Sequence, residues 1–477
     1  MYLGTQLLDS VSIIRRDPLC QPPLSRCCIL NQPAANHFGF FSLNVTQACG
    51  AANDNILKQV VVFGLASGGI WADQLGTGGQ AIGSLCLAVP FVLFSGFAGQ
   101  FSDRYSKRDV SVVVKLSEIV IALVAMWGLW LVDLWIVLAS LFLIAAQSAF
   151  FGPAKYGILP EIIDAKYLSR ANGTINMFTY LAVILGCAIG GPLYDAYAPD
   201  PVKLPGATPL VWLPGLVVLV VGVVGTAASY GIPRTTAQNP GLKIRPLLFR
   251  TYFDTWREIS GTALADVIIA WASFYFIVGG VAMLILPDYT TLLQISATQT
   301  AGLMAILGVS IGVGDFVAGR VSGHAVRPGL IPIGAVGTTT MYFVLGVIPH
   351  NYLLVASCLA LTGFLAGFFM VPLQTMTQAL SSEEQRGRVL GLWTCMSFVA
   401  IILGNVLFLI LRKAGLPSQS VFLVCGVLGL ICTAMYYLKW RAVFDQALQS
   451  LKHDRPAAEQ DLLNTGSLPA CDAAEGL

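Results

Sequence analysis

GQFSDRYSKR (Gly99–Arg108) sits between two apolar runs, one at about 79–100 and one at about 110–131. Each run is long enough to cross hydrocarbon as a helix, which takes about 20 residues. The short stretch between them, with Arg104, Lys107 and Arg108, is therefore a tight, basic connection at one membrane face. The rest of the chain agrees. Of its 477 residues 56% are hydrophobic and 11% are charged, against about 25% charged in soluble proteins. A net charge of +2 argues against nucleic acid as a partner.

Reading outward with the same window gives twelve spans, at about 38–65, 79–100, 110–131, 134–153, 169–191, 209–231, 263–287, 298–319, 328–348, 351–374, 388–411 and 418–440. Basic residues test that count. With the N-terminus inside, the cytoplasmic connections hold Arg104, Lys107, Arg108, Lys155, Lys166, Arg170, Arg234, Lys243, Arg245, Arg250, Arg257, Arg320, Arg327, Arg386 and Arg388. The opposite connections hold Lys203, Arg412 and Lys413. That asymmetry puts both termini in the cytoplasm. The expected fold is an all-α polytopic membrane protein, with twelve transmembrane helices in two pseudo-symmetric six-helix bundles. The bundles are 37–231 and 263–441, joined by a cytoplasmic linker at 232–262. Residues 1–36 read as a disordered lead-in rather than a signal peptide, because Pro18, Pro22 and Pro23 break any apolar core. Residues 442–477 read as a disordered tail.

The opening stretch resembles the G-x-x-x-D-R-x-G-R-K loop of the major facilitator superfamily, with Ser106 at the second glycine. GRVSGHAVRPG (319–329) is a faint second copy without the aspartate. Three longer segments are similar to the bacterial lysophospholipid transporter family: TQACGAANDNILKQ (46–59), FFGPAKYGILPEIIDAKYLSRANGTINMFTYLAVILGCAIGGPLYD (150–195) and GFFMVPLQTMTQ (367–378). The likeness runs from about 38 to 440. It implies the major facilitator fold and a lysophospholipid substrate in the bacterial inner membrane. Some members of that family carry a helix-7 arginine as a head-group partner. This chain reads WASFYFIVGGVAMLILPDY (271–289), with no basic residue.

The candidate substrate-binding residues are Asn53, Asp54, Asn55, Lys58, Lys155, Asn172 and Asn176. Asp54 and Lys58 stand four apart on one helix face, and a charge near mid-membrane needs a partner or a wet cavity. They form either a polar shelf for a head group or a structural ion pair. GPAKYGILP (152–160) reads as a rigid bend set by Pro153 and Pro160. The bend aims Lys155 at a lipid phosphate, or else Lys155 anchors the interface. Lys115 and Glu118, three apart, read as a structural pair. The candidate gate is Gly99, Asp103, Arg104, Arg108, Asp315 and Arg320. Asp103 would accept from a neighbouring helix N-terminus or an arginine, and Asp315 would pair with Arg320 or the 99–108 loop. Gly186-x-x-x-Gly190 and Gly308-x-x-x-Gly312 allow close helix contact, as packing or as a lateral opening.

The expected function is a facilitator-type flippase carrying lysophospholipid from outer to inner leaflet, for re-acylation by a separate acyltransferase. The alternative is a proton-coupled exporter of a small solute or drug. An enzyme is not expected. None of His37, His324, His350 and His453 has an aspartate five residues on, and the eleven cysteines contain no C-x-x-C pair. No cofactor or metal site is expected.

Overall fold

With no water available in the hydrocarbon, each segment must close its backbone hydrogen bonds internally, and this chain does so as helices. The computed structural model describes residues 37–65, 69–75, 79–199, 208–245, 249–286, 292, 293, 295, 297–323 and 326–453. The predicted lead-in 1–36 lies outside them.

Twelve long helices follow the twelve predicted stretches. In the first half they are α1 (His37–Leu65), α2 (Gly79–Arg104), α3 (Lys107–Trp130), α4 (Leu134–Ile162), α5 (Leu168–Tyr197) and α6 (Leu213–Ser229). In the second they are α7 (Ala263–Ile285), α8 (Ala297–Val321), α9 (Ile331–Val347), α10 (Tyr352–Leu380), α11 (Arg386–Lys413) and α12 (Ser418–Met435). Ten are long and apolar enough to cross a membrane. Of the other two, α6 is 17 residues long and α1 carries the polar stretch around Asn53 and Asp54. Local chemistry sets several ends. Asp133 starts α4 by accepting from the amides of Trp135 and Ile136, at 2.9 and 3.0 Å. Asn351 starts α10 in the same way.

Two expectations fail here. The stretch 152–160 is not a bend between helices, because α4 continues through Pro153 and Pro160 to Ile162. In hydrocarbon a proline costs one hydrogen bond, whereas leaving the helix would expose several more. Lys155 is thus an intrahelical residue and not part of a basic connection. The tail is not disordered from 442 onward either. The chain runs from α12 through a π-helical turn into a helix, Arg441–His453. Phe444 is fully buried beside Trp440 and Tyr436, and that apolar face holds the helix down. Residues 454–477 lie outside the described part.

Helix alternation places the α2–α3, α4–α5, α8–α9 and α10–α11 connections and the linker on one side, here termed the basic face. Near that face the bundles meet along two seams, α2 with α11 and α5 with α8. Both seams bring backbone against backbone. A Cβ on Gly99 would meet the Gly387 carbonyl at 2.5 Å, and one on Gly173 would strike the Asp315 carbonyl. The anticipated glycine stripes divide their work. Gly186 and Gly190 pack on Ala52 and Gln59 of α1, whereas Gly308 and Gly312 face Ile184 and Tyr180 of α5. The first stripe therefore serves packing within the first bundle, and the second serves the seam.

The linker is more than a tether. Its helix, Arg250–Ile259, lies across the α2–α11 seam. The Tyr252 hydroxyl accepts from Gly96 N at 2.8 Å and donates to Val92 O at 2.7 Å. Those two backbone groups are the pair that closes one turn of an α-helix. Gly96 has no side chain, and a Cβ there would collide with the Tyr252 ring. One turn along, Gln100 bonds Thr251 and Arg245, and Asp103 O accepts from Asn239 N. Positions 92, 96, 100 and 103 share one face of α2.

Candidate functional site

The polar interior of the first bundle is built by α1, α3, α4 and α5. Lys115 Nζ meets Glu118 Oε2 at 2.6 Å, with both side chains buried. Glu118 also accepts from Asn53 Nδ2 at 2.8 Å and from Gln147 Nε2 at 3.4 Å. Gln147 bonds Ser148, whose hydroxyl donates to Asp54 Oδ2 at 2.8 Å. One network thus ties Asn53 and Asp54 to the Lys115–Glu118 pair. Neither Asp54 Oδ1 nor Asn53 Oδ1 has a hydrogen-bond partner among the described residues.

The anticipated Asp54–Lys58 pairing is absent. Residues four apart share a helix face, but the carboxylate turns to Ser148 on α4, the shorter reach from a buried position. Lys58 remains half-buried, with no ion pair among the described residues. Asn55 turns back to Ala51 O and accepts from the Cys187 thiol.

Lys155 sits two turns before the end of α4 and about 10 Å inside it at 1.5 Å per residue. Its ammonium donates to Gln47 Oε1 at 2.8 Å and lies 4.6 Å from the centroid of the Tyr156 ring. Gln47 is held in turn by the Thr179 hydroxyl, to which its amide donates at 2.9 Å. An ammonium carries three donors, and Lys155 uses one among the described residues.

Asn172 and Asn176 form an amide clasp between the bundles. Asn172 Nδ2 donates to Gln378 Oε1 at 2.6 Å and Thr375 Oγ1 at 3.1 Å, and its Oδ1 accepts from Gln374 and Gln378. Asn176 Nδ2 donates to Gln374 Oε1 at 2.7 Å. These glutamines, like Gln47 and Gln147, carry a signal that sequence reading passed over. They are primary amides inside apolar helices, where an unpaired amide is costly.

At the gate, Asp103 spans the α2–α11 seam. Its carboxylate accepts from Gly387 N at 2.5 Å, Arg388 N at 3.0 Å and Arg388 Nε at 3.3 Å. The two amides open α11, so the charge also meets the positive end of that helix. Arg388 reaches on to Glu258 of the linker helix at 3.1 Å. Lys107, fully buried, pairs with Glu161 of α4. Arg104 lies over Tyr105, and Arg108 pairs with Asp109 at 3.0 Å. These two residues stand at the same face without crossing the seam.

Asp315 departs from expectation. It pairs neither with Arg320, which is exposed over the Phe316 ring at 3.7 Å, nor with the 99–108 loop. It is wholly buried, and neither carboxylate oxygen has a hydrogen-bond partner among the described residues. The residue stands six positions before the end of α8, where its backbone meets Gly173 of α5 across the seam.

Asp103 gives a direct test. Asp103→Ala should open the seam, since three charge-assisted bonds worth about 1.5–3 kcal/mol each are lost. Ser102 is buried there. A cysteine placed at position 102 should be alkylated at least about tenfold faster with Asp103→Ala than without it. Equal rates would show that Asp103 does not hold the seam.

Comparison with known proteins adds the family context. The family profile described as Major Facilitator Superfamily matches residues 55–404 and 272–465. The chain is 27% identical over 353 residues to the lysophospholipid transporter LplT of Yersinia enterocolitica, covering 71% of this chain and 80% of that one. It is 26% identical over 348 residues to LplT of Yersinia pestis, with coverages of 72% and 80%. Among solved structures it is similar to the human organic anion transporter MFSD10 (TM-score 0.67, 15% identity, 85% of this chain and 100% of that one). It is also similar to a bacterial homologue of the iron transporter ferroportin in an outward-facing state (TM-score 0.62, 14% identity, 84% and 99%).

Proposed function

The chain belongs to the major facilitator superfamily, and from that premise we propose that this multi-pass transporter flips lysophospholipid from the outer to the inner leaflet of a bacterial inner membrane. The observation that carries the reading is Lys155. A lysine held inside a membrane helix by one neutral amide, with donors to spare, is suited to a lipid phosphate. Asn53, Asp54, Asn55 and Lys58 on α1, with Asn172 and Asn176 on α5, supply the remaining polar contacts for the head group. The single acyl chain stays against apolar walls. Relatives that are named lysophospholipid transporters support the same cargo.

In this reading the basic face is cytoplasmic and both termini lie there. The two packed seams then belong to a state closed to the cytoplasm. Alternating access requires the α2–α11 and α5–α8 contacts to part as the opposite side closes. Lipid delivered inward goes to a separate acyltransferase.

The test is reconstitution. Proteoliposomes containing the full chain should move labelled lysophospholipid between leaflets with no pH gradient. Gradient-dependent efflux of a small solute, without lipid movement, would overturn the reading in favour of a proton-coupled exporter, for which the unpartnered Asp54 Oδ1 would be the proton site.

A further inference from the structure

Asp315 has no task in the scheme above. A carboxylate in the membrane interior normally pairs or lines a pathway, and breaking a buried pair leaves a strongly unfavourable lone charge. Asp315 is fully buried with both oxygens open. Its surroundings are not those of a random void. Its backbone meets Gly173 of α5, one turn before Asn176, and Tyr180, a further turn on, packs on Gly312 of α8, one turn before Asp315. Behind them Tyr156, Trp393, Trp271 and Tyr275 form a chain of ring contacts at 5.3, 4.4 and 5.2 Å between centroids. Tyr275 opens a π-helical stretch of α7, Tyr275–Ala282, a form common at functional sites. A buried acid on a helix packed against tyrosine-bearing helices offers the two groups, carboxylate and aromatic face, that recognise an alkylammonium ion.

Lys155 stands at the other end of the same group. Its ammonium covers the Tyr156 ring, and the Tyr156 hydroxyl reaches Asn176 Oδ1 at 3.5 Å. Lys155, Tyr156 and Asn176 thus lead toward the α8 segment that holds Asp315, with a base on the first bundle and an acid on the second. We propose that Asp315, with Tyr156, Tyr180 and Tyr275, binds the ammonium of a zwitterionic lysophospholipid head group whose phosphate is held by Lys155. This deepens the function proposed above and rests on it. The chain lacks a basic residue along 271–289, which fits a second bundle that meets the positive end of the head group. Binding such a lipid joins the two bundles through one ligand and compensates the carboxylate. An anionic head group without an amine leaves Asp315 uncompensated.

The experiment uses the purified full chain and three lysophospholipids with one acyl chain and different head groups: ethanolamine, choline and glycerol. The two amine-bearing lipids should bind about tenfold or more tightly than the glycerol lipid, the scale of a desolvated cation–aromatic contact with its counter-ion. Asp315→Asn, which is isosteric, should bring that ratio to about one. Tyr275→Leu, which keeps the carboxylate, should reduce the ratio for the choline lipid most. A wild-type chain that binds all three lipids alike would overturn this inference while leaving the lysophospholipid reading intact, as would Asp315→Asn with an unchanged ratio. Failure to bind any of the three would overturn the functional reading itself.

Discussion

Glu118→Leu should be the most damaging single replacement in the first bundle, costing about 3–5 kcal/mol because it leaves the Lys115 ammonium buried and uncompensated. The pair is closed on all sides. Lys115 is 1% and Glu118 0% exposed, and Asn53 and Gln147 already use the remaining carboxylate valences. Water cannot replace the lost partner. The double variant Lys115→Met with Glu118→Leu removes both charges and should be far more stable than the single one, since apolar groups of similar volume often match a buried pair. Thermal unfolding of the four detergent-purified proteins gives the coupling energy. A Glu118→Leu protein that melts with the wild type would show that Lys115 finds another partner or loses its proton without penalty.

Lys155→Met should lower lysophospholipid flipping by roughly 10- to 100-fold with little loss of folded protein. The methionine keeps an unbranched stem beside Tyr156 and removes only the charge. A bond to an ionised group contributes about 1.5–3 kcal/mol, and about 1.4 kcal/mol is a factor of ten. Loss of the Gln47 contact is mild because Gln47 keeps Thr179. Initial flipping rates, normalised to reconstituted protein, provide the measurement. Wild-type rates would leave Lys155 a structural residue and remove the main support for the proposed cargo.

Much of the fold could be read from the chain because lipid imposes few solutions. Length, apolarity and the distribution of arginine and lysine located all twelve helices. Even α1, with Asn53, Asp54 and Lys58 within six residues, was found. The misreadings have separate causes. Proline and glycine around Lys155 suggested a turn by the rules for water, where a freed carbonyl can be hydrated, and those rules weaken in hydrocarbon. The polar composition of the tail points to disorder, yet Trp440 and Phe444 recur at a helical spacing and bury one face. The site was harder to read. Spacing places Asp54 and Lys58 on a common face, yet it says nothing of Ser148, 94 residues away. The Asn172–Gln378 contact spans 206 residues. Such pairings are fixed by how helices meet, which a linear pattern does not encode. The loop at 99–108 could be read because its residues act almost where they stand in the chain.

The hydroxyl of Tyr252, seated on a backbone turn of α2, has a bearing on how the molecule can be taken apart. Two six-helix halves look like natural fragments, and a cut anywhere between 232 and 262 would seem equivalent. It is not: severing the chain before Tyr252 assigns that side chain to the second fragment and strips α2 of an intramolecular brace, whereas severing it after Ser260 leaves the brace on its own polypeptide. The connecting segment is thus architecturally a seventh element of the first half, fixed to α2 at Asn239, Arg245, Thr251 and Tyr252.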